Sequence, residues 1–444
     1  MADYASPKSA ALFERARRVM PGGVSRNTLL RKGHPLYVSH GKGCVVTDVD
    51  GVERLDFANN MAAHIHGHAY GPIVEAVTAQ LQRGTAFTMA SEMEVEFAEH
   101  LCARSASFEQ IRFVNSGTEA VMAGMKAARA FTGRTTIAKV EGCYHGAYDY
   151  AEVSQAPTPE NWGASHRPNP VPLAQGTPRG VTDDMVILPF NDPDKAVAIL
   201  DKVADRIACI LIDPIPHRVG LIAVQEAFVK ALARWARTNG ALLMFDEVIT
   251  FRSEVGGMQT RFDIQPDLTS MGKMIGGGFP VGALAGRLDV MQVFTTGAEG
   301  VRLPHSGTFS ANPVTMTAGL VAMQHFDEAA IIRLNKLTDT ARDALAQVVK
   351  QADVPVSITG AGSLLRLHLK ATPPRDYRDA HLSPQKLKTL ATLIEQLYAR
   401  GIMMIHTGAM AFSTPMGASE IDRLCDAVHT SLLSVKPELL ENNP

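Results

Sequence analysis

Ala241-Leu242-Leu243-Met244-Phe245-Asp246-Glu247 decides the fold of this chain. Its five opening residues are all apolar, so as a strand it has no water-facing side. That is the pattern of a strand buried on both faces in a parallel sheet. The two carboxylates at its carboxyl end fall where open α/β sheets gather their ligands. Farther on, Ser270-Met271-Gly272-Lys273-Met274-Ile275-Gly276-Gly277-Gly278 sets one lysine among small and apolar residues. A lysine stripped of hydration gives up its proton more readily, and its free amine attacks carbonyls. Strand-end acid pairs and glycine-flanked lysines are also common without function, so the pairing needs support from the rest of the chain.

Outward from this stretch, strand and helix alternate. Short apolar strands are expected at 111–114, 136–140, 186–189, 208–212, 242–245 and 281–285, with helices such as 121–131 and 228–238 between them. This alternation predicts an α/β fold whose large domain holds a mostly parallel, doubly wound sheet. On the N-terminal side, a helix over 9–20 ends at Pro21-Gly22-Gly23, and strands at 36–38, 44–48 and 54–57 with a turn at Asp50-Gly51 predict a small sheet. Helices are expected near 70–83 and 92–102. After Arg287 the pattern becomes α+β, with helices at 314–326, 328–351, 384–400 and 419–433 and strands near 362–369 and 403–405. The expected division is 1–60 as an N-terminal segment joining the small domain, 61–313 as the large domain, and 314–444 as the C-terminal small domain. Residues 155–181, rich in Pro, Gly and Asn, form a loop too long for a passive connection, which suggests a cover over a site.

With 444 residues the chain can bury a large core. A net charge of −2 with mixed signs offers no footprint for nucleic acid or an anionic membrane. No apolar run approaches the roughly 20 residues of a membrane span, and Met1-Ala2-Asp3-Tyr4 has no signal-peptide character. The five cysteines are scattered without a C-x-x-C pair, as in reduced cytosolic proteins. A cytoplasmic enzyme is expected.

Three further stretches carry chemistry. Asn115-Ser116-Gly117-Thr118-Glu119 joins a strand to a helix, where amides, hydroxyls and the helix dipole suit a phosphate, although a plain N-cap uses the same residues. Gly142-Cys143-Tyr144-His145-Gly146 follows the next strand and offers an aromatic face for a planar ring. Gly307-Thr308-Phe309-Ser310 is a second phosphate candidate. The triple histidine His64-Ile65-His66-Gly67-His68 lacks the fourth ligand of a structural zinc site, so no metal is expected there. A Schiff-base lysine, an acid to keep a ring nitrogen protonated and a phosphate cradle together fit pyridoxal phosphate.

In this order and spacing, Asn115–Ala120, Gly142–Gly146, Phe245–Val248, Gly272–Gly278 and Gly307–Phe309 resemble the class III (subgroup II) aminotransferases of fold type I. The resemblance is to the glutamate-1-semialdehyde aminomutase branch, which includes the β-amino-acid and D-phenylglycine aminotransferases, and it runs from about Leu12 to about Val435. It implies pyridoxal 5'-phosphate as cofactor, with Lys273 forming the Schiff base and carrying protons and Asp246 paired with the pyridinium. Ser116, Gly117 and Thr118 would hold the phosphate, with Thr308 reaching it from a partner subunit. Tyr144 and Val248 would flank the ring, and Glu119 and His145 would support them. A homodimer with shared active sites follows from the same resemblance.

The chain also departs from the pattern. Many relatives carry Glu-Pro where Asp213-Pro214 stands, which leaves Asp213 as a cofactor-binding candidate, and His217 and Arg218 replace small residues in the pocket wall, where they are candidates for binding substrate. Thr407-Gly408-Ala409-Met410-Ala411-Phe412-Ser413 lacks both the glutamate of the aminomutase and the arginine of some β-amino-acid enzymes. Arg26 aligns with an arginine that β-amino-acid enzymes aim at a substrate carboxylate, and Arg366 and Arg252 are weaker candidates for that task. The resemblance therefore implies ping-pong amino transfer from an amino acid (β-amino or aryl acids included) or amine donor to a keto acid. The intramolecular aminomutase reaction is the alternative, and a non-catalytic cofactor-binding protein a remote one. A nucleotide-binding Rossmann domain is disfavoured, because no G-x-G-x-x-G follows the first strand of the alternating region.

Overall fold

A computed structural model describes residues 6–297 and 300–441, so Met1–Tyr4 lie outside the described residues. The alternating region forms a seven-stranded sheet. Its strands in chain order are β1 (Gln110–Val114), β2 (Thr136–Val140), β3 (Met185–Leu188), β4 (Ile207–Ile212), β5 (Leu242–Asp246), β6 (Leu268–Gly272) and β7 (Gly282–Gly286). They lie side by side as β1-β7-β6-β5-β4-β2-β3. All run parallel except β7, which is antiparallel to both β1 and β6.

The apolar run that opens the sequence reading is β5, and its side chains divide by period two. Leu243 and Phe245 pack with Phe228, Leu232 and Trp235 of the helix Glu226–Asn239. Leu242 and Met244 face the other way, onto Val121, Met125 and Ala128 of the helix Gly117–Thr132. Both faces are covered, which is why the strand carries no polar residue until Asp246. The sequence-based reading omits β6, the strand that delivers Lys273. It also places the first strand at 36–38, where the structure has Val38–Lys42, and runs the first helix to 20, whereas Pro7–Ala16 stops sooner.

The N-terminal strands Val38–Lys42, Val45–Asp48 and Glu53–Asp56 form a sheet whose last member is Ile402–Met403, parallel to Glu53–Asp56. Leu55 and Phe57 share a core with Leu334, Leu345, Leu393, Leu397, Leu424 and Leu432 of the C-terminal helices Glu328–Ala352, Pro384–Ala399 and Ala418–Ser434. A second C-terminal sheet joins Ser357–Ala361, Leu364–His368 and Ala409–Ala411. The long segment after Gln155 contains a short hairpin (Gly163–Ala164 with Arg167–Pro168) and docks against residues 376–381. Arg378 donates to Gly163 O at 2.7 Å and Trp162 O at 2.9 Å, and Tyr377 Oη donates to Pro157 O at 3.0 Å.

Candidate active site

The carboxyl ends of β1, β2, β4, β5 and β6 converge on one edge of the sheet, and each brings a turn from the sequence analysis. β1 ends in Asn115 and feeds the helix Gly117–Thr132. Ser116 caps that helix by accepting from Glu119 N at 3.1 Å, and the Glu119 carboxylate reaches back to accept from Asn115 N at 2.8 Å. The amides of the first turn have no intrahelical partner and point along the positive end of the dipole. No side chain larger than hydrogen fits at Gly117, where a Cβ would meet Val248 Cγ1 at 2.8 Å. Val248 thereby lies directly over the cradle. Gly282 of β7 is similarly constrained, since a Cβ there would strike the Ser116 carbonyl at 2.0 Å. Thr118 Oγ1 accepts from Ala147 N at 3.3 Å, which ties the cradle to the loop that follows β2.

Asp246 ends β5 and is 6% exposed. Its carboxylate accepts from His145 Nδ1 at 2.7 Å, from Ser270 Oγ at 3.2 Å and from Val248 N at 3.1 Å. A carboxylate only accepts, so His145 carries its proton on Nδ1. The opposite atom, Nε2, is buried without a partner. Burial lowers the His145 pKa against the pull of Asp246, so the ring is a neutral orienting group. Ser270 is level with Asp246 in the parallel β5–β6 register. The sequence reading quotes it but assigns it no role.

Lys273 follows β6 with φ of +49°, a left-handed conformation that non-glycine residues adopt at a cost. Burial lowers the pKa of its ammonium, opposed by the charges of Asp246 and Asp213. Asp213 ends the segment after β4 and accepts from Ile215 N at 3.0 Å. Burial, and then Asp246, pushes its carboxyl well above the usual range. Glu247 faces away from the cluster. It accepts from Thr250 Oγ1 at 2.5 Å and Gln259 N at 3.0 Å, and burial raises its pKa to about 7.

The loop after β2 carries Tyr144, 44% exposed, and the buried His145. Lys139, from the middle of β2 and fully buried, holds this loop. Its Nζ donates to Cys143 O at 3.0 Å, Ala151 O at 2.8 Å and Val153 O at 2.7 Å, so three donors meet three carbonyls. Burial pushes its pKa down to about 7. Glu141, at the start of the same loop, is gripped through both oxygens by Arg378, at 2.7 and 2.9 Å.

The arginines proposed for substrate fall into different settings. Arg26 is exposed and donates to Asn60 Oδ1 at 2.8 Å. Asn60 sits in Asn59–Ala62, four successive residues at φ of +44°, +48°, +59° and +69°. Arg26 is thus tied to a strained turn. Arg218 and His217 are half-buried beyond Asp213, with Arg366 beside them. Arg252 is corrected to a structural role. It is fully buried and donates to Ser363 Oγ at 2.7 Å, Ala62 O at 3.2 Å and Phe412 O, which leaves no fork for a carboxylate. Thr308 lies exposed on a loop whose Ser310 Oγ meets Asn115 Nδ2 at 3.4 Å. The three histidines form no strand. His66 is bound to Thr414 and Ala322, and His68 to Asp56. Among the described residues no cluster suited to a metal ion occurs, and no helix is long and apolar enough to cross a membrane.

A buried carboxylate that forms no ion pair with an arginine or lysine among the described residues, a buried lysine at the end of the next strand and an amide cradle beneath Val248 fit the ring nitrogen, aldehyde and phosphate of pyridoxal phosphate. The chain belongs to the class III aminotransferase family, whose sequence profile matches residues 29–431. It is 37% identical over 377 residues to a glutamate-1-semialdehyde 2,1-aminomutase of Methanothermobacter thermautotrophicus, covering 85% of this chain and 87% of that one. Among solved structures it superposes on an omega-transaminase from Sphaerobacter thermophilus with a TM-score of 0.94 and 47% identity, over 98% of both chains. A β-phenylalanine aminotransferase from Variovorax paradoxus gives a TM-score of 0.86 and 33% identity, over 96% of this chain and 94% of that one. A transaminase solved with pyridoxal phosphate bound is 39% identical over 99% of both chains, with a TM-score of 0.90.

Proposed function

We propose that this chain is a pyridoxal phosphate-dependent transaminase that moves the amino group of an amino acid, β-amino and aryl acids included, to a keto acid. The observation that carries the reading is Asp246, a buried carboxylate oriented by His145 and Ser270 with Lys273 on the adjoining strand. When bound, the cofactor supplies the electron sink that makes a substrate Cα–H acidic. Asp246 would hold the ring-nitrogen proton, because a carboxylate in this dry setting binds a cation strongly. The first-turn amides at Gly117 and Thr118 would hold the phosphate, and Thr308 of a second copy would complete that cradle in a homodimer. Lys273, with a pKa lowered by burial, would take the proton from Cα of the substrate and deliver it to the cofactor carbon that bears the nitrogen. Tyr144 and Val248 would flank the ring and hold its plane. Arg26, tied to Asn60, holds the substrate carboxylate.

Transamination is favoured over the aminomutase reaction because residues 407–413 carry no ionisable side chain to steer a second amine. The 47% identity to an omega-transaminase over almost the whole chain supports the same choice. The aminomutase remains the second reading, supported by the curated relatives. The deciding experiment adds α-, β- and ω-amines singly to the cofactor-loaded protein and follows the visible absorbance. Conversion by a β-amino or aryl amino acid, reversed by a keto acid, is expected. Turnover of glutamate-1-semialdehyde alone would establish the aminomutase instead.

A further inference from the structure

The short helix Tyr377–Ala380 belongs to the C-terminal region, beyond the strand Leu364–His368, yet it holds the loop that carries Tyr144 and His145. Asp376 caps this helix by accepting from Asp379 N at 2.8 Å. Arg378 reaches from it to Glu141, the first residue after β2, with Nε on one carboxylate oxygen at 2.7 Å and Nη2 on the other at 2.9 Å. The pair is largely out of water, its side chains 18% and 7% exposed. The same guanidinium donates to Gly163 O and Trp162 O and lies 5.0 Å from the centre of the Trp162 ring. Four of its five N–H groups are thereby matched.

Tyr377 presses on the same loop. Gly142 has φ of +78°, and a Cβ there would fall 2.1 Å from Tyr377 Cδ2, so the aromatic ring packs directly on the backbone next to Glu141. Tyr377 Oη donates to Pro157 O at 3.0 Å. One turn of helix therefore touches both the loop Glu141–Gly146 and the segment 157–163. Within that loop Glu141 lies close in sequence to His145, which donates to Asp246. Lys139 grips the loop from the sheet side through Cys143 O.

A bidentate arginine fixes the direction as well as the distance of its carboxylate, and a carboxylate this deep is costly without a counter-ion. Burial raises the Glu141 pKa, Arg378 pulls it back, and Asp376 adds to the rise. Without the guanidinium, Glu141 must take up a proton or turn out to water, and turning out drags the loop with it. We propose that Arg378 is a positioning residue for the cofactor ring, acting through Glu141 on the loop that carries Tyr144 and His145. The inference rests on the pyridoxal phosphate site and holds for amino transfer and for the aminomutase reaction alike.

The test compares wild type, Arg378→Met, Glu141→Gln and the double variant, each loaded with pyridoxal phosphate. Cofactor release into cofactor-free buffer is timed, and the visible circular dichroism of the bound cofactor is recorded beside kcat and KM. Each single variant should release cofactor about tenfold faster than wild type, the low end for one charge-assisted pair. The double variant should release it no faster than the singles, because all three lose the same contact. Weaker visible dichroism and a lower kcat with little change in KM should accompany the faster release. Arg378→Lys should restore only part of the loss, since an ammonium cannot form the fork. A higher KM with release and dichroism unchanged would mean that Arg378 serves only the segment 157–163, and would overturn the proposal. Faster release in Arg378→Met but not in the isosteric Glu141→Gln, or additive effects in the double variant, would also refute it. A wild type that binds no pyridoxal phosphate would remove the cofactor reading and this inference together.

Discussion

Lys139 offers a sharp test of how the site is held. Replacing it with methionine keeps the length of the side chain but leaves the carbonyls of Cys143, Ala151 and Val153 without their donor. Each buried carbonyl left unpaired costs about 1–3 kcal/mol, offset in part by removal of a buried charge, so a net loss of about 3 kcal/mol is expected at pH 6. The pH dependence follows from the lowered pKa, about 7 in the fold against an ordinary 10.5. Between those values the unfolded chain binds a proton that the folded chain does not, so wild-type stability rises with pH. From pH 6 to pH 9 that contribution grows by roughly 2–3 kcal/mol. Methionine cannot contribute it, so the deficit of Lys139→Met should widen by the same amount. The groups acting on Lys139, namely Cys143, Arg218, Glu152 and Asp246, are present in both proteins and largely cancel. Paired urea midpoints at each pH measure the difference. A deficit that stays constant from pH 6 to pH 9 would refute the reasoning, because it would mean that the three carbonyls keep the ammonium charged throughout.

Three other substitutions address the remaining roles. Lys273→Ala should lose the visible absorbance of the lysine-linked cofactor together with about 10²–10⁴-fold in turnover, and a retained band would remove this lysine from the site. Asp246→Asn should keep the cofactor yet lower kcat by about 10²–10³-fold; full activity would refute an electronic role. Arg26→Ala should weaken kcat/KM for carboxylated donors by about tenfold to hundredfold, with much less effect on simple amines. An equal loss for both would put Arg26 outside the pocket.

Much of the sheet is legible because β4 and the first four residues of β5 are unbroken apolar runs, and burial on both faces leaves no other pattern open to them. β6 escapes because Leu268-Thr269-Ser270-Met271-Gly272 carries two hydroxyls in its middle. Both lie in register with the end of β5, and Ser270 bonds to Asp246, a reason that exists only once the strands are side by side. The strands Ser357–Ala361 and Ala409–Ala411 are short and depend on pairing across the C-terminal region, which local pattern does not encode. Lys273, Asp246 and the Ser116–Thr118 turn stand out because each joins a strand end to glycine or small residues. Lys139 looks like any surface lysine, since the carbonyls that satisfy it come from a loop that folds back over its own strand. Arg252 misleads for a related reason: an arginine bound only to backbone and hydroxyl groups has the same sequence signature as one that awaits a ligand.

The setting of Arg252 also governs how the chain is made. Its guanidinium, fully buried with its pKa pushed down to about 9, is satisfied by Ala62, Ser363 and Phe412 together. During synthesis the first of these partners precedes it and the other two follow far behind. At about 5–20 residues per second, roughly ten to thirty seconds separate the emergence of Arg252 from that of Phe412. Through that interval the guanidinium lacks at least one of the three acceptors that satisfy it in the folded chain. A chain that stops short of Phe412 therefore carries an arginine that it cannot satisfy as the folded chain does.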